Sequence, residues 1–448
     1  MKKDKSCLGP DDKTIDYIAS PGGCMEGIVK IPGDKSISHR AIIFGSIARG
    51  TSYVEGFLEG EDSLATLKAF RDMGVVIEGP DNGFVKIHGV GLNGLKAPPG
   101  PLYLGNSGTS MRLLSGLLAA QSFDVVLTGD ESLSKRPMNR IVKPLREMGA
   151  SIEVDKLGFP PISIKGNVNL NPICYELPMA SAQVKSCILL AGLYIKKDTA
   201  VIENAITRDH TELMLSAFGG KINKDNSVIS INGGNQLVAT KIQVPADISS
   251  AAFYIVAATI SPGSDITLPL VGVNPTRLGI INILRMMGAN IKFSNQKEVG
   301  GEPVADIRVR FTPLKGIIIP LDQVALAIDE FPALFIAAAC ADGITKLSGA
   351  GELRLKESDR IQAMADGLRT LNINLVTKPD GIEIEGGQFS GGEVDSNDDH
   401  RISMAFSVAA LRSKKSILIK NCNNVATSFP NFVKLANEIG LTLSEVIR

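Results

Sequence analysis

The sequence predicts an α/β (α+β) fold in two domains, and three observations carry the prediction. A small-residue apolar helix with a polar start recurs six times at intervals of roughly 65–80 residues, long enough for a βαβ-type unit and longer than most solenoid repeats. A second, amphipathic helix recurs in step with it, each time ending at a Gly or Asn before an alternating stretch that reads as a strand. The chain has 448 residues, beyond the size at which a single core keeps growing, so six units divide as three plus three.

The first helix copy covers residues 35–50, the second 106–120, the third 181–194, the fourth 247–263, the fifth 329–343 and the sixth 399–411. Each opens with polar or charged residues, runs into a small-residue apolar stretch and stops near a Gly or a basic cluster. The second helices cover 62–73, 136–148, 211–218, 276–287, 356–371 and 431–439, with apolar residues at i, i+3, i+4 and i+7. Gly74, Gly149, Gly219, Gly288, Asn372 and Gly440 follow them where a left-handed cap is expected. Strands are expected at 75–78, 151–154, 289–293 and 372–376.

Composition excludes several classes. Lys plus Arg equals Asp plus Glu at 47 each, so no whole-protein field attracts nucleic acid or an acidic membrane, and neither is expected as a partner. The six cysteines (Cys7, Cys24, Cys174, Cys187, Cys340, Cys422) form no C-x-x-C pair, and Cys187 and Cys340 lie in apolar helix bodies as reduced core thiols. Four scattered histidines show no metal-ligand spacing, so no metal is expected. Residues 1–14 are polar, without the apolar stretch of a signal peptide, and no apolar run approaches the ~18 residues of a membrane span. A soluble, reduced, cytoplasmic protein is expected.

Charge sits in unusual places. Lys35 and Arg40 lie in the first turns of copy one and Arg401 opens copy six; Arg136, with Pro137 at N1, opens one second helix, and Lys356 and Arg360 open another. Cations there oppose the helix dipole at about 0.3–1 kcal/mol each unless an anion compensates. One such residue is ordinarily a solvated side chain or salt bridge. Several at equivalent places imply helix starts converging on a strongly anionic ligand, phosphate or carboxylate, which Arg grips bidentately. Gly105-Asn-Ser-Gly-Thr-Ser110 would let backbone N–H groups approach an anion closely. Gly33-Asp-Lys-Ser36 lacks the upstream glycine spacing of a P-loop, which argues against ATP. Asp329-Glu330 and Glu357 are either ordinary first-turn acids or, among these cations, candidates for a general base and acid. Asp247 and Asp399 read as caps, His39 and His400 as positioning hydrogen-bonders, and Arg112 as a bridge between units.

Gly33-Asp-Lys-Ser-Ile-Ser-His-Arg40, Gly105-Asn-Ser-Gly-Thr-Ser-Met-Arg112, Arg136-Pro137, Ser181-Ala-Gln183, Lys356-Glu-Ser-Asp-Arg360 and Asp399-His-Arg401 together resemble the 5-enolpyruvylshikimate-3-phosphate synthase family, in family order over all but roughly the first 15 residues. The resemblance implies a two-domain inside-out α/β barrel, three βαβαββ repeats per domain, with the active site in the interdomain cleft. The chain would cross between domains near 31–34 and 244–247, so that 33–245 forms one domain and 1–32 with 246–448 the other. The implied reaction joins phosphoenolpyruvate to the 5-hydroxyl of shikimate 3-phosphate and releases phosphate through a tetrahedral intermediate, with no metal or cofactor, in a monomer. By resemblance, Lys35, Ser36, Arg40, Ser181, Ala182, Gln183, Arg208, Asp329 and Lys356 hold shikimate 3-phosphate. Lys35, Gly108, Arg136, Gln183, Arg360 and Arg401 hold phosphoenolpyruvate. Asp329 takes the 5-hydroxyl proton, Glu357 handles the proton at the methylene carbon, and Lys35 joins them in the catalytic set, with Lys356 neutralising charge beside them.

Many members of the family carry an Arg before the Arg-Pro pair and a Lys before the C-terminal Ser-Phe-Pro; here Ser132 and Thr427 stand there. The run 132–138 is similar to the branch often associated with glyphosate tolerance, whereas Gly108 is the ordinary small residue. Two alternatives have sequence tests. UDP-N-acetylglucosamine enolpyruvyl transferases use a loop cysteine in the first domain, and no cysteine lies between Cys24 and Cys174. A non-catalytic anion- or RNA-binding relative would need a basic surface and leaves Asp329 and Glu357 without a role.

Overall fold

Five of the six units fold as strand, inner helix, strand, outer helix and two strands, in a sheet whose spatial order is first, second, fourth, third, and the fifth keeps this plan without a regular leading strand. The computed structural model describes residues 14–166 and 169–448; Cys7 and the polar stretch before residue 14 lie outside the described residues. In the second unit the order is unbroken: Leu102–Tyr103, helix Gly108–Leu118, Val125–Thr128, helix Asn139–Glu147, Ile152–Glu153 and Ile162–Ile164. Its first two strands pair parallel and the others antiparallel.

Three units borrow a strand from far along the chain. Lys241–Gln243 pairs parallel with Arg49–Glu55 to lead the first unit, and Glu26–Ile28 pairs with Asp265–Gly272 to lead the fourth. Ile15–Ala19 completes the sixth, between Ile417–Lys420 and Leu443–Ile447. In the fifth, parallel bridges Lys315–Asp342 and Ile318–Lys346 stand where the leading strand does elsewhere. The sheets are six separate ones, and no closed barrel forms among the described residues.

The inner helices are Lys35–Ile47, Gly108–Leu118, Ala182–Gly192, Ile248–Ile260, Phe331–Ala339 and His400–Ala409. Small residues let them pack closely; every residue of Ile248–Ile260 is buried. A Cβ on Gly116 would lie 2.0 Å from the Cys187 carbonyl oxygen. Gly116→Ala is therefore expected to cost ~1–3 kcal/mol by overpacking, read as a lowered thermal midpoint; an unchanged midpoint would show that these two helices can separate freely.

Five inner helices obey ordinary helix-start chemistry, and Asp247 and Asp399 are the caps that the sequence suggests. Asp34, Ser107, Ser181, Asp247 and Asp399 each accept a backbone N–H at the N-cap. Two outer-helix boundaries differ from expectation. Arg136 and Pro137 do not open a helix: a short helix, Glu131–Ser134, ends before them and the next begins at Asn139, so Pro137 is not at N1. The fifth outer helix begins at Arg360 behind an Asp359 cap, leaving Lys356 outside it. All six expected cap residues adopt positive φ: Gly74 (87°), Gly149 (89°), Gly219 (80°), Gly288 (101°), Asn372 (68°) and Gly440 (108°).

Buried apolar side chains fall into two clusters, one spanning Ile37 to Val244, the other Tyr17–Ile31 with Ile248 to Leu443. Where the chain passes between them its two segments pair: Asp34 N–H donates to the Pro245 carbonyl (2.8 Å), and Asp247 N–H to the Pro32 carbonyl (3.0 Å).

Candidate active site

The starts of inner helices one, two and three face those of four, five and six across a cavity. Thirteen of the fourteen expected site residues line it. The fourteenth, Gly108, stands behind the wall: a Cβ there would meet Arg112 Nη1 at 3.0 Å and Arg136 Nη1 at 3.3 Å, so its smallness leaves room for two guanidiniums. The lining holds ten Lys and Arg against four Asp and Glu, and further acids sit one layer behind, holding the cations in place.

From the first cluster, Lys35 Nζ donates to Asp62 Oδ2 (2.9 Å) and Ser428 Oγ (2.7 Å). Ser428, the neighbour of Thr427, thus supplies an oxygen to this ammonium. Arg40 is buried, donating to Thr211 Oγ1 (2.7 Å), Ser186 Oγ (2.9 Å) and the Ser36 carbonyl (2.9 Å). Gln183 accepts from Arg112 Nη1 (2.5 Å) and donates to Thr109 Oγ1 (3.0 Å), so Arg112 does bridge two units. Arg136 Nη2 donates to Asn106 Oδ1 (2.5 Å) and Ser132 Oγ (3.1 Å); Ser132 acts here as a support for Arg136.

From the second cluster, Asp329 is the meeting point. Arg208 Nη2 reaches across to Oδ2; Lys356 Nζ lies 3.3 Å and Arg360 Nη1 3.5 Å from Oδ1. Arg401 Nη1 donates to the Asp329 carbonyl oxygen (2.8 Å). Arg360, 1% exposed, also donates to Asp399 (2.8 and 3.2 Å) and Glu357 Oε2 (2.6 Å). Asp399 keeps its cap role while holding this guanidinium. Ion pairs join the two clusters at Arg208–Asp329, Arg136–Glu357 (3.5 Å), Arg140–Glu352 (3.9 Å) and Arg277–Asp34 (3.1 Å).

Burial alone would raise the Asp329 carboxyl, but Arg208, Lys356, Arg401 and Arg360 hold it well below the usual carboxylate range. Burial likewise opposes ionisation of Glu357, and Arg360 and Arg136 overcome it. Both acids are ionised at neutral pH. Burial, then Lys35 and Arg401, press His400 well below its ordinary value, and burial with Lys35 and Arg40 presses His39 to about 3. Both imidazoles are neutral at pH 7; His39 meets Thr66 Oγ1 at 2.8 Å, a positioning contact as expected. Burial, then crowding by Arg140 and Arg136, lowers Arg112 to about 9, which still leaves it cationic at pH 7.

Sequence reasoning missed Arg140, Glu352, Thr207, His210, Ser249 and Arg277 on this wall. Arg140 lies four residues after Arg136, one turn on in the helix that the sequence predicts there, a spacing that could have revealed it. Inner helix four, where the sequence offers only Asp247 as a cap, also reaches the cavity, through Asp247 and Ser249.

Residues 20–435 match the family model for EPSP synthase (3-phosphoshikimate 1-carboxyvinyltransferase). A protein of Methylococcus capsulatus bearing the name 3-phosphoshikimate 1-carboxyvinyltransferase is 61% identical over 432 residues, covering 96% of this chain and 99% of its own. One of the same name from Nitrosococcus oceani is 60% identical over 430 residues, covering 96% and 97%. The solved structure of EPSP synthase from Acinetobacter baumannii superposes with a TM-score of 0.86 at 58% identity, covering 97% of this chain and all of that one. With a family model spanning most of its length and relatives this similar end to end, the chain belongs to the EPSP synthase (3-phosphoshikimate 1-carboxyvinyltransferase) family.

Proposed function

We propose that the protein transfers the enolpyruvyl group of phosphoenolpyruvate to the 5-hydroxyl of shikimate 3-phosphate and releases phosphate, a step of the shikimate pathway to chorismate and the aromatic amino acids. The observation that carries this is an ionised, largely buried Asp329 held between Arg208 of one cluster and Lys356 and Arg360 of the other. Each substrate brings a carboxylate and a phosphate of about −1.5 to −2 charge. The wall, with six more cations than acids, suits that load.

Asp329 accepts the 5-hydroxyl proton as the oxygen attacks C2 of phosphoenolpyruvate, and a proton is delivered to C3, giving the tetrahedral intermediate. Phosphoenolpyruvate competes for the guanidiniums of Arg136 and Arg360, which hold Glu357 ionised; once they turn to the substrate, Glu357 can carry the C3 proton. In the elimination Glu357 takes a proton back from C3, the double bond reforms, and the C2–O bond to phosphate breaks. Lys35, anchored to Asp62 and Ser428, neutralises the charge that develops on the transferring oxygens.

The division into 33–245 and 1–32 with 246–448 is supported by the two apolar clusters, and closure between them would dry the cleft. A cytoplasmic monomer is part of the proposal: no described helix is long and apolar enough to cross a membrane, and both walls of the cavity come from one chain. A coupled phosphate-release assay tests the reaction. Release is expected only with both substrates present, and Lys35→Ala should lower kcat/KM by at least about 100-fold; no release from the wild-type protein, or none that depends on shikimate 3-phosphate, sinks the proposal.

A further inference from the structure

We propose that Lys185, which does not line the cavity, positions the shikimate 3-phosphate half of the site; the proposal rests on the substrate assignment above. Lys185 sits one turn into the inner helix Ala182–Gly192, its side chain 1% exposed. Its Nζ lies 3.0 Å from Glu203 Oε1 and 2.6 Å from Glu212 Oε1, both carboxylates also buried. These acids bracket the segment 203–212, which carries Thr207, Arg208 and His210 to the cavity wall. One buried ammonium therefore holds both ends of the segment from which Arg208 reaches Asp329.

The two ends are tied into the wall by hydroxyl groups. Thr207 Oγ1 donates to Glu203 Oε1, next to Arg208. Thr211, beside Glu212, accepts from Arg40 Nε (2.7 Å), and Ser186, beside Lys185, accepts from Arg40 Nη2 (2.9 Å). Thr211 and Ser186 are themselves joined at 2.6 Å. The start of the same helix carries Ser181 and Gln183. Lys185 thus ties the segment that carries Arg208 to the inner helix whose start carries Ser181, Ala182 and Gln183, and its chain neighbour Ser186 and Glu212's neighbour Thr211 hold Arg40. Packing alone does not call for this arrangement: two acids and one ammonium out of water are costly, and apolar side chains of similar volume would fill the space as well. The only gain the geometry offers is a defined location for Arg208 and Arg40.

The test uses Lys185→Met/Glu203→Gln/Glu212→Gln, which removes the three charges together, and Glu203→Gln alone, which leaves Lys185 paired with Glu212. Shikimate 3-phosphate binding is measured by titration calorimetry, alongside kcat and both KM values. The triple variant should bind shikimate 3-phosphate at least tenfold more weakly, and Glu203→Gln about threefold, with the KM for phosphoenolpyruvate within twofold of wild type. A role in folding alone would lower the thermal midpoint and leave the ratio of the two KM values unchanged; that result, or unchanged shikimate 3-phosphate affinity in the folded variants, overturns the proposal. Should the triple variant not fold, Glu203→Gln decides by the same criterion. Failure of the wild type to bind shikimate 3-phosphate would instead overturn the substrate assignment, so the two failures are distinguishable.

Discussion

Asp329→Asn is expected to lower kcat by roughly 10²–10⁴, the range for removing a positioned general base, while leaving both KM values unchanged or lower. The asymmetry follows from the site. Asparagine keeps the size and the acceptor oxygen that Arg208 uses, so the wall should hold its shape. The substitution removes a negative charge from among Arg208, Lys356 and Arg360, and those cations are then freer to attract anionic substrates. Binding should survive; proton abstraction should not. The wild type offers a second check. Because the cations hold the Asp329 carboxyl well below the usual range, kcat/KM, which reports the free enzyme, should show no acid-side loss from this residue between pH 5 and 8. Phosphate-release kinetics on both proteins decide it. A kcat within tenfold of wild type would remove Asp329 from the role of base.

Much of this site was legible because the fold solves one packing problem six times. A buried helix that starts at a cavity writes its polar residues first and its small apolar ones afterwards, so Lys35, Ser181, Asp329 and Arg401 announce themselves by position. Arg136 was found for the right chemistry and the wrong geometry, since a short helix capped by Asp130 intervenes. Pairings between distant segments left no local trace. Nothing near Lys241–Gln243 indicates that it leads the sheet of the first unit, and nothing near Lys185 indicates that its partners lie at Glu203 and Glu212. Arg277 is the extreme case: it stands in a 3₁₀ turn, Pro275–Arg277, ahead of an outer helix, yet its partners are 243 residues back at Asp34 and 30 back at Asp247.

That guanidinium supports the second large prediction. Arg277 Nη1 donates to Asp34 Oδ2 (3.1 Å), and Nη2 to Ser249 Oγ (2.6 Å) and Asp247 Oδ1 (3.3 Å). Asp34 and Asp247 cap inner helices one and four and lie on the two segments that pair where the chain passes between clusters. One buried cation therefore holds two buried acids at the crossing. Burial opposes ionisation of Asp34, yet Arg277 and its other neighbours hold the carboxyl below its ordinary value. Its contribution to stability is present above the unfolded value of about 3.9 and lost as pH falls through the folded one. Burial and the neighbouring Asp34 push Asp247 the other way despite Arg277, so little margin remains. Arg277→Met would leave two uncompensated carboxylates, at a cost of ~3–5 kcal/mol; at ~2–4 °C per kcal/mol the thermal midpoint should fall by about 10 °C near pH 8. In the variant both carboxyl values would rise above 3.9, so the sign reverses: the cost grows as pH rises through them and shrinks as the acids take up protons. The deficit relative to wild type should therefore be smaller at pH 5 than at pH 8. Thermal unfolding of both proteins at the two pH values is the measurement, and a midpoint shift under 2 °C, or a deficit larger at pH 5, would show that the crossing is held by backbone pairing without the guanidinium.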